Sequence, residues 1–510
     1  MVRREVVGRW SRRGLLGAGL ASGGFFAGDL FAGEFGLQRL VQAGSAIGRR
    51  FVFIYVPGGW DQLLFLDPRE FEYGLDDAAY QKEVERTGID TSYARGGYNS
   101  DLRDDYGEGL NRPAGADPSF SFGPAAVRRD KVTKEPIDAD NLVALAEQGV
   151  PMTIVRGINM GTLGHEPGYV YFLTGEPAVG SSARGASMPV RLASQIGKLG
   201  GDDQTVVANL AVEVDSYTGD ADGRYAALRL GTITDSERLL MRETKLDEAP
   251  GVEAALATYA GRKRTPEAQL LDGAGLLSQY LAASGRAREL IESDVIQHFE
   301  FMTGDDPESQ ALRAAYHIQG DDPRQPAAKA AFTAQAIKYG LAQFISVAFP
   351  GGGDSHGGGN RGHAQGLHNA VRALADLVRD LAKTPAEAPL AGSWLDNTTI
   401  VMFSEFGRTP RFNSIGGRDH HFSNSCLLVG AGVQPGRVIG GTTEVGGMQP
   451  RVYDFAAQKS LGDEAVPNGK TQRHITPADI GATLLASVGG EYWEYRDAEP
   501  LWQAITQAPF

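Results

Sequence analysis

Three apolar runs in this chain each end in a glycine-rich loop that carries a carboxylate or an imidazole. Residues 51–56 (FVFIYV) lead into PGGWD, which ends at Asp61. Residues 344–349 (FISVAF) lead into PGGGDSH, which supplies Asp354 and His356. Residues 398–403 (TTIVMF) lead into SEFGR and then GGRDHH, which supplies Asp419 and His420. Asp and His offer the oxygen and nitrogen donors that hold zinc, manganese or iron. Asp354 and His356 are two apart, so extended backbone puts them on one face. Asp419 and His420 are adjacent and need a turn to converge, which the preceding glycines permit. Five of the nine histidines fall between His356 and His421.

Taken singly, the same residues have plainer roles. An acid after a strand, such as Asp61, is commonly a turn or helix cap. The triplet at Asp354 also reads as a polar loop. His363, His368 and His421 read as solvated or supporting residues. Ser355 and Ser404 are candidate nucleophiles only through their neighbours.

For the acids and histidines to meet, the three runs must be parallel neighbours in one sheet. Ligands of open parallel sheets bind outside the carboxyl ends of the strands. A continuous apolar run of six residues fits a strand buried on both faces. Further strands are expected at 152–155, 205–208 and 426–429. Helices are expected at 141–147, 188–199 and 477–488, and from 365 to 381, where Leu367, Ala370, Val371, Leu374, Leu377, Val378 and Leu381 recur at helical spacing. Strands alternating with helices indicate an α/β fold with a mainly parallel sheet covered by helices on both faces. Residues 67–140 read as an irregular insertion, and about 264–343 as a helical one, within a single domain over 46–510.

The formal net charge is −14, and the first 45 residues hold six Arg against three acids. The remainder is therefore more acidic still, which excludes nucleic acid as an expected partner. Cys426 is the only cysteine, so no intrachain disulfide forms. No dinucleotide fingerprint follows the first strand, and no haem or iron–sulfur cysteine pattern exists. The chain opens basic, and Ser11-Arg12-Arg13-Gly14-Leu15-Leu16 precedes a glycine-rich apolar stretch. Residues 1–45 thus read as a twin-arginine-type export signal, with a periplasmic or extracellular destination. No later run of about 18 apolar residues occurs, so no transmembrane helix is expected in the mature chain.

From Glu405-Phe406-Gly407-Arg408 to Gly416-Gly417-Arg418-Asp419-His420, the chain resembles the exported proteins grouped as domain of unknown function 1501. These belong to the alkaline-phosphatase-like superfamily, with the sulfatases. Asp354-Ser355-His356 resembles the family's Asp-Thr-His element, and residues 474–480 its C-terminal helix start. His165, Tyr171, Thr174 and Gly175 resemble its His-containing segment before a Thr-Gly pair. The resemblance implies a three-layer sandwich and a divalent metal held by Asp61, Asp354, His356, Asp419 and His420. It also implies hydrolysis of a phosphate or sulfate ester, on a small molecule or a sulfated or phosphorylated polymer. Arg408 would bind the anion through its planar fork, and His165 or His474 would serve as acid or base. The first loop departs from the family pattern. No hydroxyl follows Asp61, Thr162 is the nearest substitute, and Asp67 is an alternative match for Asp61. That departure keeps a second expectation open, a non-catalytic exported binding or structural protein retaining the fold.

Overall fold

A computed structural model describes residues 48–70, 77–91, 106, 110–198, 205–240, 295–357 and 360–506. The export signal expected at 1–45 and the first part of the helical insertion lie outside the described residues. The strands of the main sheet are β1 (Arg50–Tyr55), β2 (Met152–Asn159), β3 (Val207–Val212), β4 (Leu228–Leu230), β5 (Ala342–Ala348), β6 (Thr398–Phe403), β9 (Ser423–Gly430) and β10 (Arg437–Gly440). Their order is β10-β2-β9-β6-β1-β5-β3-β4. β7 (Gly407–Arg408) and β8 (His420–His421) form a separate antiparallel ribbon.

The three runs that end in site loops are adjacent. β1 pairs in parallel with β5 on one side and β6 on the other, with Phe51 opposite Phe344 and Thr399. Their apolar continuity follows from burial on both faces. Phe51 and Phe53 enter one core cluster, and Val52 and Ile54 the other. This is the alternation that the two-residue strand period imposes. Phe51 stacks on Phe344 at 5.5 Å between ring centroids.

The described helices, in chain order, are α1 (Asp77–Thr87), α2 (Leu142–Glu147), α3 (His165–Thr174), α4 (Met188–Lys198), α5 (Asp235–Leu240), α6 (Pro307–Ala315), α7 (Pro326–Lys338), α8 (Asn360–Lys383) and α9 (Pro477–Ser487). α7 and α8 pack into the cluster holding Val52, while α3, α4 and α9 pack into the one holding Phe51. None of them is long and apolar enough to cross a membrane.

Three features differ from the sequence reading. β9 runs antiparallel to both β6 and β2. The chain returns from the end of β6 through the site loop without a helical crossover, and a parallel return requires one. α1 lies inside the segment expected to be irregular. Its buried contacts are confined to Tyr80, Val84 and Thr87, a stripe too short to stand out. β2 extends four residues beyond its apolar run, through Arg156. That side chain is buried and donates to the carbonyls of Leu66 at 2.5 Å and Ser121 at 2.9 Å.

Candidate metal centre

The loops after β5 and β6 and the first residue of α3 bring four side chains together. His165, Asp354 and His420 each offer one ligand atom, and these atoms lie within 4.8 Å of one another. His356 adjoins them, its Nε2 2.9 Å from His420 Nε2 and 3.5 Å from Asp354 Oδ1. Asp354, His165 and His356 are each between two-fifths and one-half exposed, so the group opens to solvent.

The hydrogen bonds behind the histidines decide what the site can do. His165 Nδ1 lies 2.6 Å from Glu405 Oε1, His356 Nδ1 2.7 Å from Asp419 Oδ1, and His420 Nδ1 2.5 Å from the Leu163 carbonyl. Each partner is an acceptor, so each Nδ1 carries a proton, and in the neutral ring each Nε2 presents a lone pair. Ligating histidines are normally held this way, by a carboxylate or carbonyl on the far nitrogen. The two Nε2 atoms 2.9 Å apart share either a proton, as an N–H···N hydrogen bond, or a cation lying to one side of the line between them. The imidazole and carboxylate donors gathered here are of the kind that hold a divalent metal.

Electrostatics follow the same pattern. The Glu405 hydrogen bond raises the His165 pKa, and burial lowers that of His420. The His356 hydrogen bond holds Asp419 below the usual carboxylate range. Burial alone would raise Asp354, but Arg408 at 2.9 Å brings it below its ordinary value.

Asp61 lies behind the four-residue group, and Arg408 touches it only through Asp354. Asp61 is 3 % exposed; its Oδ1 accepts from Leu63 N and its Oδ2 pairs with Arg418 Nε at 2.9 Å. Arg408 is equally buried. Its Nε donates to the Gly59 carbonyl at 3.1 Å, Nη1 to the Arg418 carbonyl at 3.1 Å, and Nη2 to the Gly58 carbonyl. The fork braces the first loop and Asp354 instead of facing outward for an anion.

Thr162 Oγ1 accepts from Gly164 N at 3.2 Å, closing the turn that aims the Leu163 carbonyl at His420. His474 Nδ1 lies 3.3 Å from the Arg451 carbonyl, and the residue makes no contact with the four-residue group among the described residues. Ser404 Oγ is buried and lies 2.7 Å from the Val56 carbonyl and 2.8 Å from Glu405 Oε2, while Ser355 is 2 % exposed. His363 is buried between two loops, its Nδ1 on the Gly353 carbonyl and its Nε2 accepting from Asp61 N, both at 3.0 Å.

Glu405, Asn413 and Gly417 gain roles that their types did not announce. Glu405 is fully buried and also accepts from Gly58 N at 2.8 Å. Asn413 Nδ2 lies 3.0 Å from both the His356 carbonyl and Asp419 Oδ1, joining two site loops. At Gly417 a Cβ would lie 2.0 Å from the His356 carbonyl oxygen, so only glycine permits this approach. The signal for Glu405 was its place two residues after a buried strand; its partner lies 240 residues away.

Asp67, the alternative acid of the first loop, is structural. It is buried against Arg69 at 2.5 Å, Arg156 at 3.6 Å and Thr442 Oγ1 at 2.6 Å. Burial alone would raise its pKa, but the two arginines and the hydroxyl hold it below 3.8. A depressed folded-state pKa gives stability that is present above the unfolded value and lost as pH falls through the folded one. Urea midpoints measured from about pH 7 down to about pH 3 are therefore expected to fall less steeply in Asp67→Asn than in the wild type.

No curated protein matches the chain. Residues 276–459, which carry Asp354, His356, Glu405, Arg408, Asp419 and His420, match the model of a family described as Protein of unknown function (DUF1501).

Proposed function

We propose that the chain is an exported metalloprotein of alkaline-phosphatase-like type, a three-layer sandwich that hydrolyses a phosphate or sulfate ester. His165, Asp354, His356 and His420 hold one divalent ion, zinc, manganese or iron, with Asp419 behind His356. The observation that carries the reading is the shared orientation of the three imidazoles, each Nδ1 turned to an acceptor and each Nε2 turned to the group's centre. The basic, Arg12-Arg13-containing start supports export to the periplasm or beyond.

A divalent ion bound here supplies Lewis-acid polarisation of an ester oxygen and lowers the pKa of water. The chain's own groups hold and orient. Glu405 fixes the tautomer of His165, and Arg408 balances the charge of Asp354. With Ser404 buried and Thr162 used in a turn, water is the attacking group in this reading. Zinc-, manganese- or iron-loaded protein is expected to turn over p-nitrophenyl phosphate or p-nitrophenyl sulfate, and Asp354→Ala to abolish that activity. Metal-loaded protein inert toward both esters would remove the hydrolase reading.

A second reading, a binding or structural protein that keeps the metal, is favoured by Arg408 and Asp61. Both spend their polar atoms inside the protein instead of on a ligand. It predicts stoichiometric metal without turnover.

A further inference from the structure

A second polar pocket lies along α8, away from the candidate metal centre. It is an open cleft of about 210 Å³ between that helix, the loop leading into α2, and His317 after α6. At about 30 Å³ per water, the space corresponds to roughly seven waters, the size of one sugar ring. His363, near the start of α8, touches the loops after β1 and β5. The pocket is lined by residues 368–379 of the same helix, roughly 8–24 Å further along at the helical rise per residue.

The lining is built from carboxylates that already have cations. Asp138 Oδ1 lies 3.1 Å from Arg372 Nη2. Asp376, 3 % exposed, has Arg379 Nη1 at 2.8 Å and His317 Nδ1 at 3.2 Å. Burial raises the Asp376 pKa, against the lowering effect of Arg379 and His317. His317 is held at φ 54°, a left-handed conformation unusual for a non-glycine residue and common at ligand sites.

Hydrogen-bonding capacity is left over on both sides. His368 is 3 % exposed. Its Nδ1 lies 3.0 Å from the Ala125 carbonyl, while its Nε2 makes no hydrogen bond of ordinary length among the described residues and stands 3.6 Å from Asp138 Oδ2. Arg372 Nε is likewise a buried donor without a partner. Asp140 meets Arg379 only at 3.8 Å and Lys383 at 3.6 Å. The pocket therefore offers spare acceptors and a spare donor side by side, with its charges largely balanced. A phosphate or sulfate would meet three carboxylates, and a divalent cation would meet two guanidinium groups. A hydroxyl both donates and accepts, and Val371, Ala375 and Leu142 give apolar surface for a C–H face.

We infer that this pocket binds an uncharged polyhydroxylated molecule of monosaccharide size, with Asp138, Asp140 and His368 accepting from its hydroxyls and Arg372 donating to them. The site is separate from the metal centre and does not depend on hydrolysis. The test is saturation-transfer NMR on the full chain with D-glucose, D-galactose, N-acetyl-D-glucosamine and myo-inositol. At least one of the four is expected to bind saturably. Asp138→Asn and Arg372→Gln are each expected to weaken that binding by roughly tenfold, the worth of one charged hydrogen bond. Thermal melts establish that each variant is folded, and metal content is expected to be unchanged in both. Absence of saturable binding by all four probes overturns the inference, as does binding that both folded variants leave unchanged.

Discussion

Arg418→Ala is expected to lower the unfolding free energy by about 3–5 kcal/mol, the usual effect of removing one partner from a buried ion pair. Arg418 is fully buried, with its Nε 2.9 Å from Asp61 Oδ2. It also donates to the Thr409 carbonyl at 2.9 Å and the Asp90 carbonyl at 2.6 Å, and lies over the Phe412 ring at 4.0 Å. Truncation leaves the Asp61 carboxylate charged at 3 % exposure and strands those two carbonyls. The double variant Asp61→Asn/Arg418→Met removes both charges and keeps most of the volume, so part of the loss is expected to return. Urea denaturation of the three proteins measures this. A loss below about 1 kcal/mol, the value of an exposed pair, would mean that the pair does not hold the first loop.

Glu405→Gln is expected to weaken metal binding by about 10–100-fold, the range seen when the carboxylate behind a ligating histidine is changed. Glu405 has no exposure and receives Gly58 N, Ser404 Oγ and His165 Nδ1. Burial alone would raise its pKa, but those hydrogen bonds, His165 foremost, hold it below its ordinary value. A carboxamide keeps the shape and one acceptor but loses the charge, so His165 is held less firmly in the tautomer that frees Nε2. Competition against a chelating dye reads the affinity directly. Affinity within twofold of wild type in a folded variant would show that His165 is oriented by something else, or is not a ligand.

Sequence alone exposed the frame of this site because buried parallel strands are continuous apolar runs. Three such runs ending in glycine-rich loops already placed Asp354, His356 and His420 at one sheet edge, and β1, β5 and β6 are indeed parallel neighbours. What spacing cannot give is the direction of a side chain at the end of a strand. Asp61 emerges at the same edge but turns inward to Arg418, from a loop more than 350 residues away. Arg408 reads as an anion clamp by type; the short β7–β8 ribbon turns its fork toward backbone carbonyls instead. Glu405 and His165 are separated by 240 residues, and only the packing of α3 against the loop after β6 joins them. The reversal at β9 was also hidden, because an apolar run carries no direction.

Metal content decides whether the four-residue group is a metal centre. The protein would be purified without chelator and offered zinc, manganese and iron. After buffer exchange it would be analysed by inductively coupled plasma mass spectrometry beside Asp354→Ala and His420→Ala. About one bound ion per chain is expected in the wild type, with near-total loss in both variants, each of which removes one of four donors. Wild-type protein that retains no metal, or folded variants that retain as much as wild type, would contradict that assignment.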